Sequence, residues 1–349
     1  MFLISTIIKN IDKTSKLRII IAMETINIAT AITKYLDIIK HARSAHTTRT
    51  YTNATNIFQI VLRKNKLDPV TTFAADLKED AIIWLAKYLK DYAPATEQLY
   101  LHAATGFYEF LAAERLGDIN LPRLRLLIRQ RARRPGIRLP QFPMDDIEHV
   151  LSVIAEPGSI PDTGDMERLR ALRDRAFLLT LADTGLRVHE ACKLRRGDID
   201  WNEGRAVIIG KGDKQAVVRF SSRSMNAIKD YLSIRSGLDG RSGKPLGALP
   251  LFARHDKGAG NKIKTITTAT GRNIVKERVE QILGEKAKGT ITPHSFRHYF
   301  VTTVLRGSGN LKLAQELARH SNIQVTQRYA HLSNDELDKG YYEIFEKSK

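Results

Sequence analysis

Cysteine is nearly absent. The 349 residues contain one, Cys192, so no disulfide can close within the chain. Zinc sites and redox pairs built on cysteine are excluded too, although a histidine–carboxylate site is not. Cys192 falls in an apolar helical pattern with Leu186 and Leu194 and reads as a buried small residue in a reducing compartment. Long apolar runs are also missing. Met1 to Ile8 looks faintly like a signal segment, but Lys9, Asp12, Lys13, Lys16 and Arg18 break it. The run from Leu17 to Ala22 is far too short to span a bilayer. Residues 1–25 therefore read as an N-terminal extension with no membrane role, and Met23 offers an alternative start. There is no internal repeat and no low-complexity segment.

Acidic residues are in deficit. Against 56 Lys and Arg stand 38 Asp and Glu, a net charge of +18 with a pI near 9.9. Such a balance predicts an anionic polymer as partner, nucleic acid being the commonest; a merely solvated basic surface is the alternative. A hydrophobic content of 42% supplies real cores, and the length suits two domains.

Apolar spacing predicts four helices in the first third. The first covers 26–41, with Ile28, Ile32, Tyr35, Leu36 and Ile39 on one face. The second runs from about Thr47 to Lys64, with Tyr51, Ala54, Phe58, Val61 and Leu62 inward, and the third from about Glu79 to Tyr92. The fourth runs from about Ala95 to Leu116, carries Leu99, Ala103, Phe107, Phe110 and Leu111 inward, and is closed by Gly117. Together they predict an all-α domain over 26–120.

Composition then shifts. Residues 121–143 hold four prolines and Arg123, Arg125, Arg129, Arg131, Arg133, Arg134 and Arg138. Proline favours an extended path and arginine favours phosphate, so this reads as a linker lying on nucleic acid. A charged helix from Pro122 to Arg133 packing Leu124, Leu127 and Ile128 is the other reading, and each can hold for a different part. A second domain is expected over 144–333. It opens with a helix from Met144 to Val153, then an apolar helix from Leu169 to Thr184 stopped by Gly185. Three short strands follow at 198–201, 206–209 and 216–220, forming a small antiparallel sheet. Helices resume at about 223–235, 268–284, 295–306, 311–319 and 323–330. Lys257 to Lys262 reads as a mobile basic loop.

Through this second half run five basic residues and a tyrosine. Arg187 follows a helix-ending glycine, and its guanidinium can fork onto two phosphate oxygens. Lys211 sits between glycines on a hairpin tip, where it can reach into a groove; Lys214 competes with it. His294 and Arg297, at i and i+3 behind Pro293, point one way near the positive end of a helix dipole. His320 lies in a loop. Tyr329 follows nine positions later on an amphipathic helix. Each alone has an ordinary structural reading: a surface arginine, a turn lysine, a loop histidine, a core tyrosine. Together they can surround and neutralise one phosphate and supply a nucleophile for it.

In order and local context these residues resemble the tyrosine recombinases, the phage-integrase-like DNA breaking and rejoining enzymes, and in particular their short Xer-like members. The matching stretches are Asp183-Thr184-Gly185-Leu186-Arg187-Val188-His189-Glu190, then Gly210-Lys211-Gly212-Asp213-Lys214, then Thr292-Pro293-His294-Ser295-Phe296-Arg297-His298, and last His320-Ser321 through Tyr329-Ala330-His331. By motif the resemblance covers about 144–340; over 26–120 it rests on helical layout. One position departs from it. The family usually has glycine before the histidine corresponding to His320, and here Arg319 stands there, either to tighten the turn or to add a phosphate contact.

The resemblance implies a mainly α fold with a small antiparallel sheet, made of an all-α core-binding domain and an α+β catalytic domain. It implies that Tyr329 attacks the scissile phosphate to give a 3′-phosphotyrosyl link and a free 5′ hydroxyl, with no metal and no ATP. Arg187 and Arg297 would hold the non-bridging oxygens, Lys211 would protonate the leaving oxygen, His294 would assist proton removal from Tyr329, and His320 would hydrogen-bond the phosphate. The implied partner is double-stranded DNA with inverted half-sites, clamped by the two domains and met by a homo- or hetero-tetramer on two sites, in the cytoplasm at the nucleoid. The tail 334–349, acidic and apolar by turns, would dock on a neighbouring subunit or fold back on its own domain. A type IB topoisomerase-like enzyme and a non-catalytic DNA-binding protein of the same fold are the alternatives. The residues ahead of the first helix look too few for an added arm-binding domain.

Overall fold

The computed structural model describes residues 26–133, 143–156, 158, 160, 164–209, 215–256, 258, 262–320 and 322–327. The chain divides into two units, Met1–Ile137 and Arg138–Lys349.

In the first unit, helix α1 spans Ile28–Ala42, α2 Ala45–Lys64, α3 Ala81–Tyr88, α4 Pro94–Ala113 and α5 Leu121–Arg131. Short polar side chains start three of them. The Asn27 side chain accepts from Thr30 N at 2.8 Å, Ser44 from Thr47 N at 3.2 Å and Asn120 from Arg123 N at 2.9 Å, which satisfies donors that a helix start leaves free. One core gathers Ile28, Ile32, Phe58, Leu62, Leu85, Phe107, Leu111 and Leu124. Two expectations fail in α4. Leu99 is 42% exposed, because the buried stripe centres on Leu101, Ala104, Tyr108 and Leu111 and leaves Leu99 at its margin. The helix also stops at Ala113, with Arg115 rather than a glycine taking the left-handed turn at φ 56°.

Helix α5 also corrects the linker reading for 121–131. Leu124 and Leu127 are buried in the first core and Ile128 packs on it. The arginines of this segment alternate with apolar residues at helical spacing, and burying the leucines favours a helix over an extended path. The stretch 134–142, with Arg134 and Arg138, lies outside the described residues.

In the second unit, α6 spans Met144–Ala155, α7 Asp165–Thr184, α8 Val188–Lys193, α9 Ser222–Gly240, α10 Thr268–Leu283, α11 Pro293–Ser308, α12 Leu311–Ala318 and α13 Ile323–Gln327. Between α8 and α9 lies an antiparallel sheet in the order β1 (Ile199–Asp200), β2 (Arg205–Ile209), β3 (Gln215–Arg219), with Arg205 opposite Arg219 and Ile209 opposite Gln215. Ala206 and Ile208 point into the core while Arg205, Val207 and Ile209 face out, the alternation of a one-sided sheet. Helix α7 is the axis of this unit. Ala176, Phe177, Leu178, Leu179 and Leu181 are all buried, and α6, α8, α9, α10 and α11 pack around it. A helix buried on every face is one that other elements enclose. Cys192 is buried and unpaired by disulfide, with its thiol pushed up to about 11 by burial. No described helix is long and apolar enough to cross a membrane. The mobile-loop expectation at 257–262 falls largely on residues outside the described set.

Candidate active site

Three chain turns build the site. The first ends α7. Thr184 Oγ1 bonds back to Thr180 O at 2.6 Å, and Gly185 takes the left-handed conformation at φ 59°. A side chain there would be strained, and a Cβ would lie 2.4 Å from the Phe300 ring. Leu186 is fully buried and anchors the turn, so Arg187 emerges next as the cap of α8. Its side chain stays 43% exposed.

The second turn starts α11. Thr292 caps it in a mutual arrangement with Ser295, and Pro293 supplies a preset first position. His294 and Arg297 then fall one turn apart. Arg297 is 4% exposed. One end of its guanidinium donates to Gly185 O and the other to Ala318 O. A buried fork held at two points cannot swing away, and it ties the end of α7 to the end of α12. Burial, then Arg187 and Arg319, press its pKa down to about 9. The guanidinium thus keeps its charge at neutral pH.

The third turn ends α12. Arg319 is left-handed at φ 56° and ψ 45°, and the amide of His320 closes the turn by donating to Gln315 O at 3.1 Å. His320 Nδ1 lies 2.9 Å from Thr326 Oγ1 of α13. That contact fixes the ring and leaves the opposite nitrogen for a ligand.

The described members of the sequence-predicted constellation, Arg187, His294, Arg297 and His320, therefore sit at the ends of α7, α11 and α12. Lys211, Lys214 and Tyr329 lie outside the described residues. Arg187, His294 and Arg297 line one cavity of about 440 Å³, whose lining does not include His320. The basic charges act on one another. Burial first, then Arg297 and Arg187, lower the pKa of His294. The same causes with His294 and Arg319 take His320 down to about 4. Such a cluster of cations with neutral imidazoles is ready for an anion, which would offset the repulsion.

Three residues given no role by the sequence reading belong here. Glu190 is buried; its carboxylate accepts from Arg187 N at 2.8 Å, Arg187 Nη1 at 3.1 Å and Arg319 Nη2 at 3.0 Å. Burial alone would raise its pKa, yet Arg319 and the Arg187 amide and guanidinium hold it below the usual carboxylate range. The signal was present in the capping spacing from Arg187 to Glu190, three residues apart. Arg272 and Lys276, one turn apart on α10, line the same cavity as Arg187; their i, i+4 spacing was the available clue.

The basic residues of 121–133 are placed otherwise. Arg123 pairs with Glu79 at 2.8 Å and Asp80 at 2.7 Å, Arg125 with Glu109 at 2.8 Å, and Arg133 with the buried Glu97 at 2.5 Å. Arg131 bonds to Leu127 O at 3.4 Å and Gln130 Oε1 at 3.1 Å. Arg129 is exposed.

The sequence matches the phage integrase family over residues 160–336. The chain belongs to that family and is a tyrosine site-specific recombinase. It is 32% identical to tyrosine recombinase XerC of Pelobacter propionicus over 249 residues, 71% of this chain and 72% of that one. It is 30% identical to XerC of Bacillus subtilis over 320 residues, 90% and 95% of the two chains. Among solved structures, the recombinase fold recurs in XerH bound to its difH substrate in a pre-cleavage complex, with TM-score 0.60, 20% identity and coverage of 84% of this chain and 78% of that one. It recurs also in a lambda integrase dimer bound to a core site, with TM-score 0.61, 15% identity and coverage of 91% and 81%. These likenesses favour recombination over the topoisomerase-like and non-catalytic alternatives. In this recombinase the three turns bring Arg187, His294 and His320 near the buried Arg297 guanidinium.

Proposed function

We propose that this recombinase cuts and rejoins double-stranded DNA through a 3′-phosphotyrosyl link at Tyr329, and that the cavity between Arg187, His294 and Arg297 receives the scissile phosphate. The observation that carries the reading is the Arg297 clamp. A buried guanidinium fixed by Gly185 O and Ala318 O, with a half-exposed Arg187 lining the same cavity, is preorganised for the two non-bridging oxygens.

On attack the phosphate passes through a five-coordinate state with added negative charge on those oxygens. Arg187 and Arg297 offset that charge without rearranging. His294, held neutral by its surroundings, takes the phenolic proton as the Tyr329 oxygen bonds to phosphorus. The P–O5′ bond breaks, Lys211 gives a proton to the leaving oxygen, and His320 donates a hydrogen bond to the phosphate. A 5′ hydroxyl of another strand reverses the sequence. The bond energy stays in the phosphotyrosine, and the exchange consumes no ATP.

The same reading makes the first unit a core-binding module, with Arg129 and the basic segment around Arg131 and Arg134 on the DNA backbone, and Lys214 beside Lys211. The XerH and lambda integrase structures are DNA complexes, which supports duplex DNA as partner here. Action as a tetramer on two sites with inverted half-sites, docking by the 334–349 tail, and a place on the nucleoid in the cytoplasm complete the proposal.

The test is a nicked suicide duplex that traps the covalent step. Wild-type protein should give a denaturation-resistant protein–DNA band, and Tyr329→Phe should bind the same DNA without forming it. Equal bands from both proteins would remove Tyr329 from the role. Binding by both with a band from neither would remove the covalent mechanism for that DNA.

A further inference from the structure

Arg319 stands where the resemblance leads one to expect glycine, and its backbone explains that expectation. At φ 56° and ψ 45° the residue is left-handed, a conformation that glycine adopts freely and an arginine adopts at a cost. The arginine side chain must therefore do something that offsets this cost. It is not displayed to solvent. Its side chain is 12% exposed, and Nη2 lies 3.0 Å from Glu190 Oε2 and 3.5 Å from Gly185 O.

Glu190 is the carboxylate that also grips Arg187, through the backbone amide at 2.8 Å and through Nη1 at 3.1 Å. A buried carboxylate needs neutralising. Were Arg187 its sole cationic partner, that guanidinium would be drawn onto Glu190 and held back from a phosphate. With Arg319 on Oε2, the oxygen that also accepts from the Arg187 amide, the carboxylate is already neutralised from within the protein. Arg187 and Arg319 meet this one carboxylate, and counted with the nearby Arg297 the group keeps two net positive charges for the phosphate. We propose that Arg319 is a positioning residue for strand cleavage, acting through Glu190 to hold Arg187 in register with the scissile phosphate and tying the His320 turn to the Arg187 turn. The proposal rests on the reading of Arg187 as a phosphate ligand.

The test uses the full chain with Arg319→Gly, Arg319→Lys, Glu190→Gln and the Arg319→Gly/Glu190→Gln double variant. Each is measured for thermal unfolding, for duplex binding as a function of salt, and for single-turnover formation of the covalent band on the suicide duplex. Arg319→Gly should fold, since glycine suits the turn. It should bind DNA with an unchanged salt slope and form the covalent band more slowly by on the order of tenfold to a hundredfold. Arg319→Lys should recover much of that loss. The double variant should lose less than the product of the single losses, because both act on Arg187.

A folded Arg319→Gly protein that cleaves at the wild-type rate would overturn the proposal, as would fully multiplicative losses. Weaker binding with a salt slope reduced by about one ion would overturn it in favour of a direct phosphate contact. If wild-type protein gives no covalent band, the failure belongs to the Tyr329 reading. The unfolding cycle still decides the pair in that case: coupling between Arg319 and Glu190 supports the brace, and strict additivity removes it.

Discussion

Arg297 is the residue on which the site turns, because its two hydrogen bonds use backbone carbonyls that no mutation of a neighbouring side chain removes. A lysine cannot reproduce a planar fork that reaches Gly185 O and Ala318 O together. Arg297→Lys is expected to cleave about a hundredfold to a thousandfold more slowly with DNA affinity little changed, as measured by single-turnover cleavage beside a mobility-shift titration.

Gly185 is a second tightly constrained position. Gly185→Ala combines a left-handed backbone with a Cβ 2.4 Å from the Phe300 ring. Thermal unfolding should register a loss of roughly 1–3 kcal/mol, with cleavage falling as well because Gly185 O positions Arg297.

The histidines predict an acid limb. Burial and nearby cations hold the His298 and His320 rings at about 4 in the fold against 6.5 otherwise. Between these values the unfolded chain binds more protons than the folded one, so stability falls as pH falls from about 6.5 toward 4 and is flat above. The melting temperature should drop over that window, and His320→Asn should flatten the drop.

Among the elements, α5 and the two residues after it separate two kinds of arginine that look alike in sequence. Arg123 faces Glu79 and Asp80, and Arg133 reaches the buried Glu97; Arg129 is exposed. Arg133→Ala leaves Glu97 with Lys90 as its remaining cation and is expected to lower the stability of the first unit. Arg129→Ala should leave the melting curve alone and lower the salt slope of DNA binding by about one. Leu124→Ala, which empties a fully buried position, should cost about 2–5 kcal/mol and would be inconsistent with an extended linker. The same logic explains why α11 carries two candidate site residues: its capped, proline-started first turn sets His294 and Arg297 one turn apart at the helix start.

For the whole molecule the governing quantity is a net charge of +18. Phosphate contacts release counterions, so affinity for duplex DNA should fall by on the order of 10³ or more between 50 and 200 mM salt if six or more phosphates are met. A titration across that range on a fixed duplex checks this, and a nearly flat response would mean that the charge is spread as solvation rather than gathered on a DNA face.

Much of this fold is legible along the chain. Helix periods, the Gly185 stop and short-strand alternation are local signals, and they placed most described elements within about five residues, while the Gly117 stop and the extended reading of 121–131 failed. Motif order was enough to identify the family and to single out Arg187, His294, Arg297 and His320, residue types that phosphate chemistry calls for wherever a chain carries them. The tertiary structure decided which charges are spoken for. Arg123, Arg125 and Arg133 read as DNA ligands in one dimension and turn out to face carboxylates 16 to 44 residues away. Glu190 and Arg319, separated by 129 positions, meet because α7, α11 and α12 converge on Arg297. A long-range ion pair forms between folded surfaces, and no period or motif along the chain encodes the distance between its partners.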